Sequence, residues 1–122
     1  MIQIDHIGIP AVDARSSARH LADILGCPEP SVDGADADMY RVDVGLGAFV
    51  LFSPAPRVDV LHLAFRVDHE RFEAILARLR SARIPFGNEP DDPSNGKTDD
   101  PLGGQGRVYF LDENRHLFEV TY

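Results

Sequence analysis

Ile4-Asp5-His6-Ile7-Gly8-Ile9 and Val60-Leu61-His62-Leu63-Ala64-Phe65 are two versions of one short run, each with a single histidine in the same slot. Apolar residues alternate along both, and β-branched side chains recur, which is the pattern of a half-buried strand. A helix is expected after each. The first spans about Ala14–Leu25, with Asp13 as its N-cap and Gly26 as its stop. The second spans about His69–Ala82, capped by Asp68, with Phe72, Ile75, Leu76 and Leu79 as its apolar stripe. Strands follow each helix. Met39–Val44 and Ala48–Ser53 flank Gly45-Leu46-Gly47, and Arg107–Leu111 and His116–Thr121 flank Asp112-Glu113-Asn114-Arg115. A short strand is expected near Pro85-Phe86-Gly87, and its first-half counterpart, near Pro30–Val32, is poorly marked. The reading is an α+β chain made of two β-α-β-β-β modules, about 1–56 and 57–122, within one domain spanning 1–122.

The halves are not equal in length. The two histidines are 56 positions apart, whereas Leu51 and Glu119, equivalent by hairpin position, are 68 apart. The surplus falls in Asn88–Gly106, NEPDDPSNGKTDDPLGGQG, which is rich in Pro, Gly and Asp and has no period. A loop of that length inside a compact domain is usually functional or disordered, and a lid over a site is the favoured reading here.

Composition narrows the function. The 122 residues are 43% hydrophobic and 26% charged, a globular balance that excludes a disordered chain, a collagen and a coiled coil. The longest clean apolar run, Ala48–Phe52, is far shorter than the roughly 20 residues of a membrane span. Met1-Ile2-Gln3-Ile4-Asp5 has no basic n-region, so a cytoplasmic location is expected. Twelve Lys+Arg against 20 Asp+Glu leave a net charge of −8, and the bases are scattered, which argues against nucleic-acid and anionic-membrane partners. Cys27 is the only cysteine, so neither an internal disulfide nor a cysteine zinc cage can form.

The polar residues inside the apolar strands are the candidates for chemistry. His6 and His62 are expected mid-strand with small or apolar neighbours on their own face. Glu119 lies within Leu117-Phe118-Glu119-Val120-Thr121, where an unpaired carboxylate would be expensive. Two imidazoles and a carboxylate are the facial set that holds non-haem iron with positions left open, and Zn, Mn, Ni and Co occupy similar sites. His116 is three residues from Glu119, so on a strand the two side chains point to opposite faces.

These residues carry a resemblance. IDHIGIPAVDARSSARHLADILG, LHLAFRVDHERFEAILARLRSARIP and GRVYFLDENRHLFEVTY together resemble the vicinal oxygen chelate superfamily over nearly the whole chain. That superfamily includes glyoxalase I, extradiol dioxygenases, fosfomycin-resistance transferases and bleomycin-resistance proteins. The resemblance implies paired βαβββ modules in a cupped mixed sheet with helices outside, around a divalent metal held by His6, His62 and Glu119. It also implies a homodimer and a small-molecule substrate with two vicinal oxygens. The metal's identity stays open among Fe, Mn, Zn, Ni and Co.

The departures from each branch guide the choice of activity. Glyoxalase I takes a fourth, acidic ligand at the slot filled here by Leu51. Extradiol dioxygenases place a tyrosine ten residues before the glutamate, as Tyr109 is placed, but their Asp-Pro-x-Gly segment is Asp112-Glu113-Asn114-Arg115 here. The fosfomycin enzymes need a cationic clamp, yet only Arg107 is near, and Asp99, Gly103 and Gly104 stand where the rest would be. Tyr109 is thus the candidate catalytic residue, and Arg107 and Phe52 are the candidate substrate contacts. The favoured activity is extradiol-dioxygenase-like or lyase-like. The alternative is a metal-free drug- or small-molecule-binding protein of the bleomycin-resistance type, which the acidic charge suits.

Overall fold

The computed structural model describes residues 1–122 as two compact units, 1–59 and 60–122. The division falls three residues beyond the boundary expected from sequence. Each unit carries its own sheet and one helix, so the chain is α+β with mixed parallel and antiparallel pairing.

The first unit runs β1 (His6–Ala11), α1 (Ala14–Leu25), β2 (Ser31–Asp33), β3 (Met39–Gly45) and β4 (Ala48–Pro54). Its sheet order is β1-β4-β3-β2, with β1 and β4 parallel. The helix forms where the local signals place it. The Asp13 carboxylate accepts the Ser16 N–H at 3.0 Å, and Gly26 takes a left-handed φ of 72° that closes the C-terminus. The helix buries Ala14, Ala18, Leu21, Ala22 and Leu25, and the sheet buries Ile9, Ala11, Val42, Val50 and Phe52. Alternation then puts His6, Gly8, Phe49 and Leu51 on the other face, with His6 opposite Phe49 and Gly8 opposite Leu51.

The second unit runs β5 (His62–Arg66), α2 (His69–Ser81), β6 (Arg107–Leu111) and β7 (Leu117–Thr121). Its sheet order is β5-β7-β6, with β5 and β7 parallel. One face of β6 and β7 is apolar and buried: Val108 faces Val120, and Phe110 faces Phe118 with ring centroids 5.7 Å apart. An aromatic pair of this kind contributes about 0.5–1.5 kcal/mol beyond its buried area. The opposite face carries Arg107 against Thr121 and Tyr109 against Glu119. The turn sets that register. The Asp112 carboxylate accepts the N–H groups of Asn114 and His116, both at 2.9 Å, while Arg115 takes the left-handed φ of 69°.

Two expectations are corrected. The histidines are not mid-strand, because β1 and β5 begin at His6 and His62 themselves. Their ladder partners start at Ala48 and Leu117, so Ile4 and Val60 have nothing to pair with and remain exposed. The strand expected near Pro85–Gly87 is only a bridge, with Gly87 and Tyr109 exchanging backbone hydrogen bonds of 3.2 and 2.6 Å. The chain turns away at Asn88, whose buried side chain bonds Asn95 and Asp99. The weakly marked counterpart does form a strand, β2, against β3.

Gly106 sits at a tight point in the core of the second unit. A Cβ there would lie 2.3 Å from Tyr122 Cε1 and 2.9 Å from the Phe72 ring. Gly106→Ala is expected to cost about 1–3 kcal/mol through overpacking, read by urea denaturation. A loss under about 0.5 kcal/mol, the scale of an ordinary surface change, would contradict this packing.

Candidate functional site

Glu119 is the residue around which the second unit's polar groups gather. Its side chain is 6% exposed, in the central strand of a three-stranded sheet. On one side, His62 Nε2 stands 2.9 Å from Oε1. On the other, Arg107 Nη1 contacts Oε2. Tyr109, directly across the ladder, is buried and stacks on His62 with centroids 5.9 Å apart. The register explains the grouping: β7 lies between β5 and β6, so Glu119 has Ala64 on one side and Tyr109 on the other. The small Ala64 leaves room for the carboxylate.

Arg107 is engaged twice. Nε and Nη2 donate to the two oxygens of Asp100 at 2.8 and 3.3 Å, while Nη1 reaches Glu119. Asp100 is held in turn by the N–H groups of Leu102 and Gly104 at 2.9 and 3.1 Å. The hydrogen bonds from Arg107 hold the Asp100 carboxyl below the usual carboxylate range, and Asp100 raises the Arg107 guanidinium above its ordinary value. Asp100 was not among the sequence candidates. Its only signal was an acid in the aperiodic loop seven residues before Arg107.

Hydrogen bonding fixes the tautomers of both candidate histidines. His62 Nδ1 lies 3.0 Å from the Leu117 carbonyl, which can only accept, so the proton is on Nδ1. Nε2 then faces the Glu119 carboxylate across 2.9 Å, a separation that a proton on Nε2 or a bound cation can bridge. A divalent ion bonded to each at about 2.0–2.2 Å, in adjacent positions of an octahedron, would space them about 3 Å apart. The donor pair fits such an ion. In the first unit, His6 Nδ1 lies 2.6 Å from Asp5 Oδ2, so Nδ1 is the nitrogen that donates there too. The ring stacks on Phe49 at 4.8 Å and 6°. A carboxylate or carbonyl on the second ring nitrogen is the usual support of a metal-binding histidine. Asp5 is not singled out by alternation; its one signal in the sequence is an acid immediately before the histidine.

Within the second unit the structure brings His62, Glu119, Tyr109 and Arg107 together. His6 belongs to the first unit, and neither unit alone contains three or more His, Cys, Asp or Glu side chains grouped to hold a metal ion. Phe52 is fully buried in the core of the first unit. His116 is buried on the face opposite Glu119, and its Nδ1 accepts the Leu61 N–H at 3.1 Å, which braces the entry to β5.

No family model and no curated protein matches the chain. Solved structures do. "Oxidase ChaP-H1" is 29% identical, with a TM-score of 0.88, over 98% of this chain and 94% of that one. "Oxidase ChaP-H2" is 30% identical, with a TM-score of 0.85, over 98% and 91%. The fosfomycin resistance protein FosX from Listeria monocytogenes, complexed with Mn(II) and sulfate, is 18% identical, with a TM-score of 0.65, over 99% and 90%. The FosX likeness shows the fold alone.

The Asp100–Arg107 pair makes a prediction in acid. Because the folded carboxyl is lowered, its stabilising effect is complete above the unfolded value of about 3.9 and is lost as pH falls through the folded one. Asp100→Asn is therefore expected to unfold at lower urea than the parent at neutral pH, with the gap closing below about pH 4. A gap that keeps its size well below pH 4 would exclude the linkage.

Proposed function

The chain belongs to the vicinal oxygen chelate superfamily, and from that premise we propose that it is a divalent-metal-dependent enzyme that oxidises a small substrate bearing two vicinal oxygens, with dioxygen as the oxidant. The observation that carries the proposal is the 2.9 Å approach of His62 Nε2 to Glu119 Oε1, with His62 Nδ1 engaged by the Leu117 carbonyl. The proposed ligand set is His6, His62 and Glu119, and the matching tautomer of His6 supports its inclusion. The similarity to two oxidases at 29% and 30% identity favours oxidative chemistry over isomerase or lyase chemistry.

A divalent ion in that set would act as a Lewis acid toward the substrate oxygens. The protein's own groups do the rest. Glu119 supplies a full negative charge, and the histidines supply neutral nitrogen. Tyr109 is the proposed catalytic residue: from the strand beside Glu119, its phenol donates a hydrogen bond to a substrate oxygen and can return a proton to it. The stack of Tyr109 on His62 holds the phenol ring in place. Arg107 retains N–H groups beyond those given to Asp100 and Glu119, and these are available to a substrate oxygen. We further propose a homodimer, by family resemblance. No helix is long and apolar enough to cross a membrane.

Metal analysis of protein purified without an affinity tag is the direct test. Near-stoichiometric metal is expected, and Glu119→Gln should lose it. A site that stays empty after exposure to Fe(II), Mn(II), Co(II), Ni(II) and Zn(II) would refute the enzyme reading and favour a metal-free binding protein. Oxygen uptake with simple catechols then tests the reaction class. On any substrate that supports turnover, Tyr109→Phe should lower kcat by about 10²–10⁴ with metal content unchanged.

A further inference from the structure

We propose that Asp100 and Arg107 act as a clamp that aims Glu119, holding its Oε2 so that Oε1 stays turned to His62 and to the metal. This rests on the ligand set proposed above. The argument follows a chain of fixed contacts that begins in the loop backbone. The N–H groups of Leu102 and Gly104 orient the Asp100 carboxylate. That carboxylate grips the Nε/Nη2 edge of Arg107 with both oxygens. A guanidinium is a rigid planar fork, so fixing one edge fixes where Nη1 points. Nη1 meets Glu119 Oε2, and Oε1 is left facing His62 Nε2. The Arg107, Asp100 and Glu119 side chains are 13%, 2% and 6% exposed, so water competes little for these contacts.

The arrangement answers a specific hazard. An arginine free to rotate beside a carboxylate tends to take both oxygens with two parallel N–H groups. That would draw Oε1 away from His62 and leave the metal without its anionic ligand. Asp100 occupies the Nε/Nη2 edge, which removes that edge from Glu119 and leaves Arg107 meeting it through Nη1 at Oε2. The dozen surplus residues between α2 and β6 build this device. Asn88, buried and bonded to Asn95 and Asp99, anchors the loop, and the Arg107 N–H donates to the Thr98 carbonyl at 3.1 Å. Gly104 closes the cradle: a Cβ there would lie 2.1 Å from Asp100 Oδ2. Asp100 and Arg107 are thus positioning residues that act through Glu119.

Co(II) titration of the chelator-stripped protein, followed by visible absorption, tests the clamp. Asp100→Asn removes the grip. Gly104→Ala keeps every charge but pushes the Asp100 carboxylate off its seat, and it carries the test alone should Asp100→Asn fail to fold. Each folded variant, checked by far-UV circular dichroism, is expected to bind Co(II) about 10–100-fold more weakly than the parent. The double variant should lose little more than either single one, since both act on the same contact. A merely structural ion pair would lower the unfolding midpoint and leave the affinity of folded protein unchanged, and that result would overturn the clamp while the ligand set stands. A parent protein that takes up no Co(II) would overturn the ligand set, and the clamp with it.

Discussion

A carboxylate buried in the central strand of a three-stranded sheet is the constraint that organises the second unit. Taking Glu119 out of water costs several kcal/mol unless cations and hydrogen bonds answer it. The sheet order supplies the answer. Because β7 is central, Glu119 has an edge strand on either hand, one starting with His62 and the other with Arg107. Removing one partner of a buried charge pair typically costs about 3–5 kcal/mol, because the other charge is left buried without an answer. The Asp112 turn matters for the same reason. A slip of one residue in the β6–β7 register would put Tyr109 and Arg107 on the apolar face and Phe110 on the polar one.

The two units share a plan and differ in how they support a histidine. In each, the histidine opens the first strand, and a small residue two positions later faces the middle strand: Gly8 faces Leu51, and Ala64 faces Glu119. Across the next ladder, Arg41 faces Leu51 where Tyr109 faces Glu119. The first unit has no acid in its sheet at that point. Its histidine takes a carboxylate from the chain itself, Asp5, and an aromatic face from Phe49. Arg41 caps Phe49 at 3.6 Å and pairs with Asp43 at 2.8 Å, a cation tied down rather than left beside the histidine. Both histidines thus meet a carboxylate, through Nδ1 at Asp5 in the first unit and through Nε2 at Glu119 in the second.

What the sequence disclosed and what it hid divide along physical lines. Helix α1 was legible to the residue because its limits depend on local chemistry, the Asp13 cap and the left-handed Gly26. The β6–β7 hairpin was legible because turn residues interrupt two alternating runs. The strand starts were misread because alternation continues through Ile4 and Val60, whereas pairing begins only where a distant partner exists. The strand near Pro85 failed for a related reason: its apolar residues fit a strand, but the Asn88 network removes the chain after one bridge. Within the candidate site, the histidines, Glu119 and Tyr109 could be named because each breaks an apolar pattern. Asp100 breaks none. It lies among other acids in a loop without period, and only the fold shows which of them meets Arg107.

Leu51 bears on the choice of chemistry as much as the polar residues do. Its register places it where the second unit has Glu119, and an acid there would add a fourth protein ligand to the proposed three. A leucine contributes no donor and no charge. With two neutral imidazoles and one carboxylate, the proposed set leaves a divalent ion with net positive charge and with more open positions than a four-ligand site has. Reactions that only polarise a bound carbonyl need few such positions. Joining a substrate's two oxygens with a further oxidant at one ion needs more. The side chain that supplies nothing at this position is therefore consistent with the oxidase similarity and weighs against a glyoxalase-type isomerisation.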